Sequence, residues 1–160
     1  MCIEKLFEHN NWANQQLITA CGQLSDDQLD AQPKSAAYGS IRQTLTHIAT
    51  AQVGYLRLLT RPVEERRQEK IDLSFHELAV AFQTSGERLL ELVRKGEIPA
   101  ERLETSDDYW VESWVVLLQA LDHAAEHRQQ VCSQFSALGL VPPALDGWSF
   151  GEARGGLVEK

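Results

Sequence analysis

Two histidines sit where an amphipathic helix is expected to show apolar side chains only. In the stretch from Trp114 to Leu138, WVVLLQALDHAAEHRQQVCSQFSAL, His123 and His127 are four residues apart. At about 100° per residue they fall about 40° apart, on the stripe that carries Val116, Ala120, Val131 and Leu138. Both imidazoles are therefore predicted to point inward. Gln130 and Gln134 share the stripe, which makes a polar patch inside an apolar face, and buried polar groups require partners. Two imidazoles one turn apart can chelate one transition metal ion. A single such histidine is better explained as a core residue satisfied by ordinary hydrogen bonds. A pair must satisfy two rings at once, and a third ligand is needed to complete a metal site.

The candidate third ligand is His47, on a predicted helix that opens at Ser40 and runs to about Thr60. The main apolar stripe of that helix is Ile41, Leu45, Ile48, Tyr55, Leu56 and Leu59, and His47 lies on the adjoining sector with Thr44, Ala51, Gly54 and Leu58. Small residues there permit close approach of a neighbouring helix. If His47 faces His123 and His127, three neutral imidazoles hold one divalent ion and leave a position open for water or substrate, as catalytic sites do. An all-nitrogen donor set favours zinc or nickel over iron or manganese. HAAEH also fits the H-x-x-E-H pattern of inverted zinc peptidases, in which the glutamate is the general base. Glu126 is expected at the rim of the site, 60° to 100° around the helix by about the same count. A helical chain offers no sheet edge to hold an extended peptide, so a peptidase is not the expected class.

Four long amphipathic segments would have to position these residues. The first covers residues 2 to 22, with Ile3, Leu6, Asn10, Ala13, Leu17, Ala20, Cys21 and Leu24 on one face and Gly22 as a stop. Asn10, in mid-stripe, is expected to satisfy a buried neighbour, and His9 sits at the stripe's edge beside Trp12 and Gln16. Ser25 with Gln28, Ser40 with Gln43 and Ser74 with Glu77 are three capping-box signatures. The third opens a helix to about Lys95 with Leu78, Ala81, Phe82, Ser85, Leu89, Leu92 and Val93 inward and His76 on the surface. The charged run Arg61 to Asp72 is long for a connection between antiparallel neighbours, which allows a crossover between parallel helices. Tyr109 to Trp114 alternates as a short extended piece, and the tail beyond Gly139 is too rich in turn residues for another long element. Trp148 and Phe150 are expected to fold back over the bundle or pack on a partner. The economical architecture is an all-α four-helix bundle formed by residues 1–160 as a single domain.

The totals narrow the function. With 15 basic and 23 acidic residues the net charge is −8, which argues against nucleic acid as a partner. Cys2, Cys21 and Cys132 are odd in number and widely spaced, so neither a disulfide framework nor a thiolate cluster is suggested and a reducing cytoplasm fits. No apolar run approaches the roughly 20 residues of a membrane span, and the N-terminus, with Glu4, Lys5 and Glu8, lacks the core of an export signal.

Three segments, FEHNNWANQQLITACGQLSDDQL, GSIRQTLTHIATAQVGYLRLL and ALDHAAEHRQQVCSQFSALGLVPPALDGWSF, together resemble the DinB/YfiT-like superfamily over nearly the whole chain. The specific part is a histidine on the second long helix plus H-x-x-x-H-R on the last. The resemblance implies an up-down-down-up bundle, a divalent metal held by His47, His123 and His127, and homodimers. It also implies chemistry akin to that of thiol-dependent S-transferases and isomerases, with a low-molecular-weight thiol as cosubstrate and a small-molecule electrophile as acceptor, although many members have no assigned reaction. Arg128 matches the basic residue after the last ligand and Gln130 the glutamine of the usual H-R-G-Q ending, whereas Gln129 stands where glycine is common. A bulkier side chain there bears on packing or dimer contact and not on the ligands. Glu126 and Arg128 are the candidate catalytic side chains. Trp12, Tyr55, Trp110 and Trp114 are candidates to line an apolar pocket. The expected function is activation of a thiol or water by the ion for attack on the electrophile, as an S-transferase or hydrolase. The alternative is a non-catalytic metal-binding or partner-binding bundle.

Overall fold

The computed structural model describes residues 3–32, 39–66, 73–105, 107 and 109–158. Its helices are α1 (Ile3–Cys21), α2 (Asp26–Asp30), α3 (Ile41–Thr60), α4 (Phe75–Lys95), α5 (Ser113–Ala137) and α6 (Gly147–Ala153). All three predicted capping boxes form, with the side chains of Ser25, Ser40 and Ser74 each accepting from the backbone N–H three residues on and their own backbone N–H groups donating to the side-chain oxygens of Gln28, Gln43 and Glu77. These bonds satisfy N–H groups that a helix start otherwise leaves orphaned. At the far end of α4, Gly96 adopts φ +65° and its N–H reaches the Leu92 and Val93 carbonyls, a left-handed cap that favours glycine. Cys2, Pro33 and the second half of the charged run, residues 67–72, lie outside the described residues.

Two apolar clusters show how the long helices run. One joins Leu17 and Cys21 near the end of α1 to Ile41 and Leu45 near the start of α3, Leu78 and Phe82 near the start of α4, and Val131 and Phe135 near the end of α5. The other joins Phe7, Leu59, Leu89, Leu92, Val116 and Leu117 from the opposite ends. Helices α1 and α5 therefore run one way and α3 and α4 the other, an up-down-down-up bundle with a parallel α3–α4 crossover as the long charged connection predicted. In cross-section α1 packs on α4, α4 on α3, α3 on α5 and α5 on α1. The α3/α5 edge thus lies opposite the α1/α4 edge.

Two details depart from the sequence pattern. Ile3 and Leu6 belong to the predicted buried stripe of α1 but are exposed, because Phe7, one residue on, is the side chain that enters the core at that end. The extended piece pairs as a ribbon, β1 (Leu103–Glu104) antiparallel to β2 (Trp110–Val111) with Leu103 opposite Val111. The tail folds back onto α1: the Phe150 ring lies 5.4 Å from His9 and 5.5 Å from Trp12, and His9 Nε2 is 2.8 Å from the Leu145 carbonyl oxygen. Trp148 remains exposed.

Candidate metal centre

Helices α3 and α5 bring His47, His123 and His127 together, with one ring nitrogen from each inside a 4.8 Å span. Ring centroids are 4.7 Å apart for His47 and His123, 4.5 Å for His47 and His127, and 4.3 Å for His123 and His127. The rings are graded in depth: His47 is exposed, His123 half-buried and His127 only 8% exposed. The deepest ring is oriented by its own helix. His127 Nδ1 lies 2.7 Å from Gln130 Oε1, and an amide oxygen can only accept, so Nδ1 carries the proton and Nε2 the lone pair. That is the usual means of fixing a metal-ligating imidazole. His47 and His123 approach through Nε2 atoms 2.9 Å apart, one donating to the other. Two nitrogens sharing a tetrahedral zinc ion stand about 3.3 Å apart, so loading requires the pair to open by only a few tenths of an ångström, roughly the difference of those spacings. The donor set and spacing fit a divalent transition metal.

Burial favours the neutral form of two of the rings. Burial, followed by repulsion from His127 and His47, pushes His123 down to about 4. Burial and then His127 also lower His47. Imidazoles that resist protonation are available as lone-pair donors at neutral pH.

A cavity of about 250 Å³ opens beside the rings, lined by Gly39, Gln43, Thr44, His47, His127 and Gln130. Gln43 and Thr44 precede His47 by four and three residues and so stand one turn along the same sector of α3. Their lining role was legible from that spacing, although the capping pattern drew attention to Gln43 for a different reason. On the other side of the rings Tyr55 meets His123 nearly edge-on at 6.0 Å, and burial raises its phenol above the ordinary value. The other aromatic candidates do not converge there. Trp12 stacks with His9 and Phe150, and Trp110 and Trp114 are each 63% exposed. A larger groove of about 520 Å³ lies along the α1/α4 edge. It carries no imidazole or thiol, and its Glu8 is already paired with Lys5 and Arg94.

Of the two candidate catalytic side chains, Glu126 is exposed. Arg128 is 5% exposed and points into the bundle, where its Nη1 donates to Asn10 Oδ1 at 2.6 Å and Asn14 Oδ1 at 2.8 Å. Asn10 thus satisfies a buried neighbour, as its place in the stripe predicted. Gln129 is exposed beside the returning tail, where it shares a cavity with Pro142 and Asp146.

The sequence pattern of the DinB family matches residues 1–156. The chain belongs to the DinB family. Two solved DinB structures share its fold. One, a DinB-family protein from Exiguobacterium sibiricum, aligns with a TM-score of 0.67 at 16% identity, covering 87% of this chain and 93% of the other. The second, a DinB-like protein from Bacillus subtilis, gives a TM-score of 0.66 at 15% identity, covering 90% and 96%. No curated protein matches the sequence. The DinB fold of this chain is thus all-α, built on four long packed helices with the histidine cluster between two of them.

Proposed function

We propose that this DinB protein is a divalent-metal-dependent enzyme that joins a low-molecular-weight thiol, or water, to a small electrophile, with His47, His123 and His127 holding zinc or nickel. The observation that carries the reading is the convergence of three imidazole nitrogens beside a cavity. The bound ion would supply Lewis acidity, lowering the pKa of a coordinated thiol or water at neutral pH. The chain's own residues do the rest. Gln130 orients His127, burial keeps His123 neutral, and Gln43 and Thr44 wall the space in which an acceptor of modest size would lie. Glu126, next to His127 in the sequence, is exposed on α5 and lies outside the cavity lining. Arg128 is not placed to touch substrate, because its guanidinium is occupied by Asn10 and Asn14.

Metal analysis of the purified protein is expected to find about one equivalent per chain. Incubation with a panel of thiols and monochlorobimane is expected to give conjugation above background that is lost in His123→Ala. Stoichiometric metal without turnover would favour the non-catalytic bundle, and a metal-free protein that takes up neither zinc nor nickel would remove the reading altogether.

We further propose a cytoplasmic homodimer. The compartment is supported by the odd, widely spaced cysteines, and among the described residues no helix is long and apolar enough to cross a membrane. The dimer is supported by exposed Ile3 and Leu6 on α1 and Trp114 and Leu118 on α5, apolar side chains at the same end of neighbouring helices.

A further inference from the structure

Arg128 is a buried cation whose charge, among the described residues, meets no carboxylate. It is held by the amide oxygens of Asn10 and Asn14 on α1. The contacts continue inward. Asn14 Nδ2 donates to Gln52 Oε1 on α3 at 3.0 Å. Gln52 Nε2 donates to Ser85 Oγ on α4 at 2.7 Å and to the Phe82 carbonyl at 3.1 Å, and Ser85 Oγ closes the chain on the Ala81 carbonyl. One hydrogen-bonded path therefore runs α5 to α1 to α3 to α4, through side chains that are all buried.

The path starts beside one ligand and passes through the helix that carries another. Arg128 follows His127 directly, and Gln52 lies five residues after His47. The path ties both ligand-bearing helices to α1. Apolar packing alone would leave α5 freer to turn about its axis, and a turn of about 10° displaces a side chain on the helix surface by about 1 Å. Metal–ligand distances tolerate only about 0.2 Å. An isolated buried charge is also a poor choice for stability, since apolar replacements are often neutral or better; a directional anchor needs it.

Resting on the metal reading above, we propose that Arg128 is a positioning residue, fixing the rotation of α5 against α3 so that His123 and His127 meet His47 at ligand spacing. The test is calorimetric titration of nickel(II) into metal-free wild type, Arg128→Met, Arg128→Lys, Asn14→Ala and the off-path core variant Leu89→Ala, with thermal midpoints measured alongside. Arg128→Met and Asn14→Ala are expected to weaken nickel binding about tenfold, in the range seen when supports of metal ligands are removed. Arg128→Lys should recover part of the loss. Leu89→Ala should melt lower yet bind within about twofold of wild type, about the change expected when no ligand support is lost. Wild-type affinity in Arg128→Met, or an equal loss in Leu89→Ala, overturns the positioning role while leaving the metal site standing. If wild type binds neither nickel nor zinc, the metal reading and this role fall together. Should Arg128→Met not fold, Asn14→Ala makes the same comparison.

Discussion

The Nδ1–H of His127 held by Gln130 Oε1 makes a sharp claim about one side chain. Gln130→Ala leaves every candidate ligand in place but removes the group that orients the deepest ring, and is expected to cost 10- to 100-fold, on the order seen for such supports, in zinc or nickel affinity by competition titration. The neighbouring rings set a pH response. In the unfolded chain histidine titrates near 6.5, whereas in the folded metal-free protein His123 takes its proton only at about 4, with burial the main cause, and His47 also shifts downward. Between those values the unfolded state binds the proton first. The metal-free fold should therefore lose stability as pH falls from 6.5 toward 4, and these groups should have no effect above that window. Thermal midpoints at pH 7, 6 and 5 check this, and His123→Phe should flatten the slope.

Among the elements, α3 carries the most consequence because its first turn walls the cavity and its second presents His47. Ser40 caps it from a buried position, and Ser40→Ala is expected to lower stability in urea denaturation by about 1 kcal/mol. The reciprocal bond to Gln43 makes this cap traceable to two residues in the sequence, and the same holds for Ser74 and Glu77. Helical spacing likewise revealed the inward pair on α5 and the sector of His47. Spacing could not show that Ile3 and Leu6 stay in solvent, since it does not tell which of two neighbouring apolar residues, Leu6 or Phe7, fills the core at that end. Nor could it show that Arg128, a charged residue next to a ligand, turns away from the site, because its counter-groups Asn10 and Asn14 come more than a hundred residues earlier. Asn14 and Gln52 were not among the residues that spacing singled out, and their joining into one path is a matter of tertiary contact.

For the whole molecule the question is what covers the apolar end of α1 and α5. Trp114 is 63% exposed and Leu118 58%, one helical turn apart on α5, where they offer a second copy an apolar face. Light scattering coupled to size exclusion is expected to give a dimer for the wild type and a monomer for Leu118→Glu, with helix content by circular dichroism unchanged. A wild-type monomer at micromolar concentration would dispose of the dimer without touching the histidine cluster on the other edge of α5.

His47 and His123 are 76 residues apart in the chain, and the crossover keeps α4 between them in order of synthesis. A polypeptide emerging from the ribosome therefore carries one imidazole of the cluster while the residues between His47 and His123 are added, and gains the other two only with α5. Any cation held by all three rings must be acquired after α5 has been made, so a product truncated before that helix would be released empty.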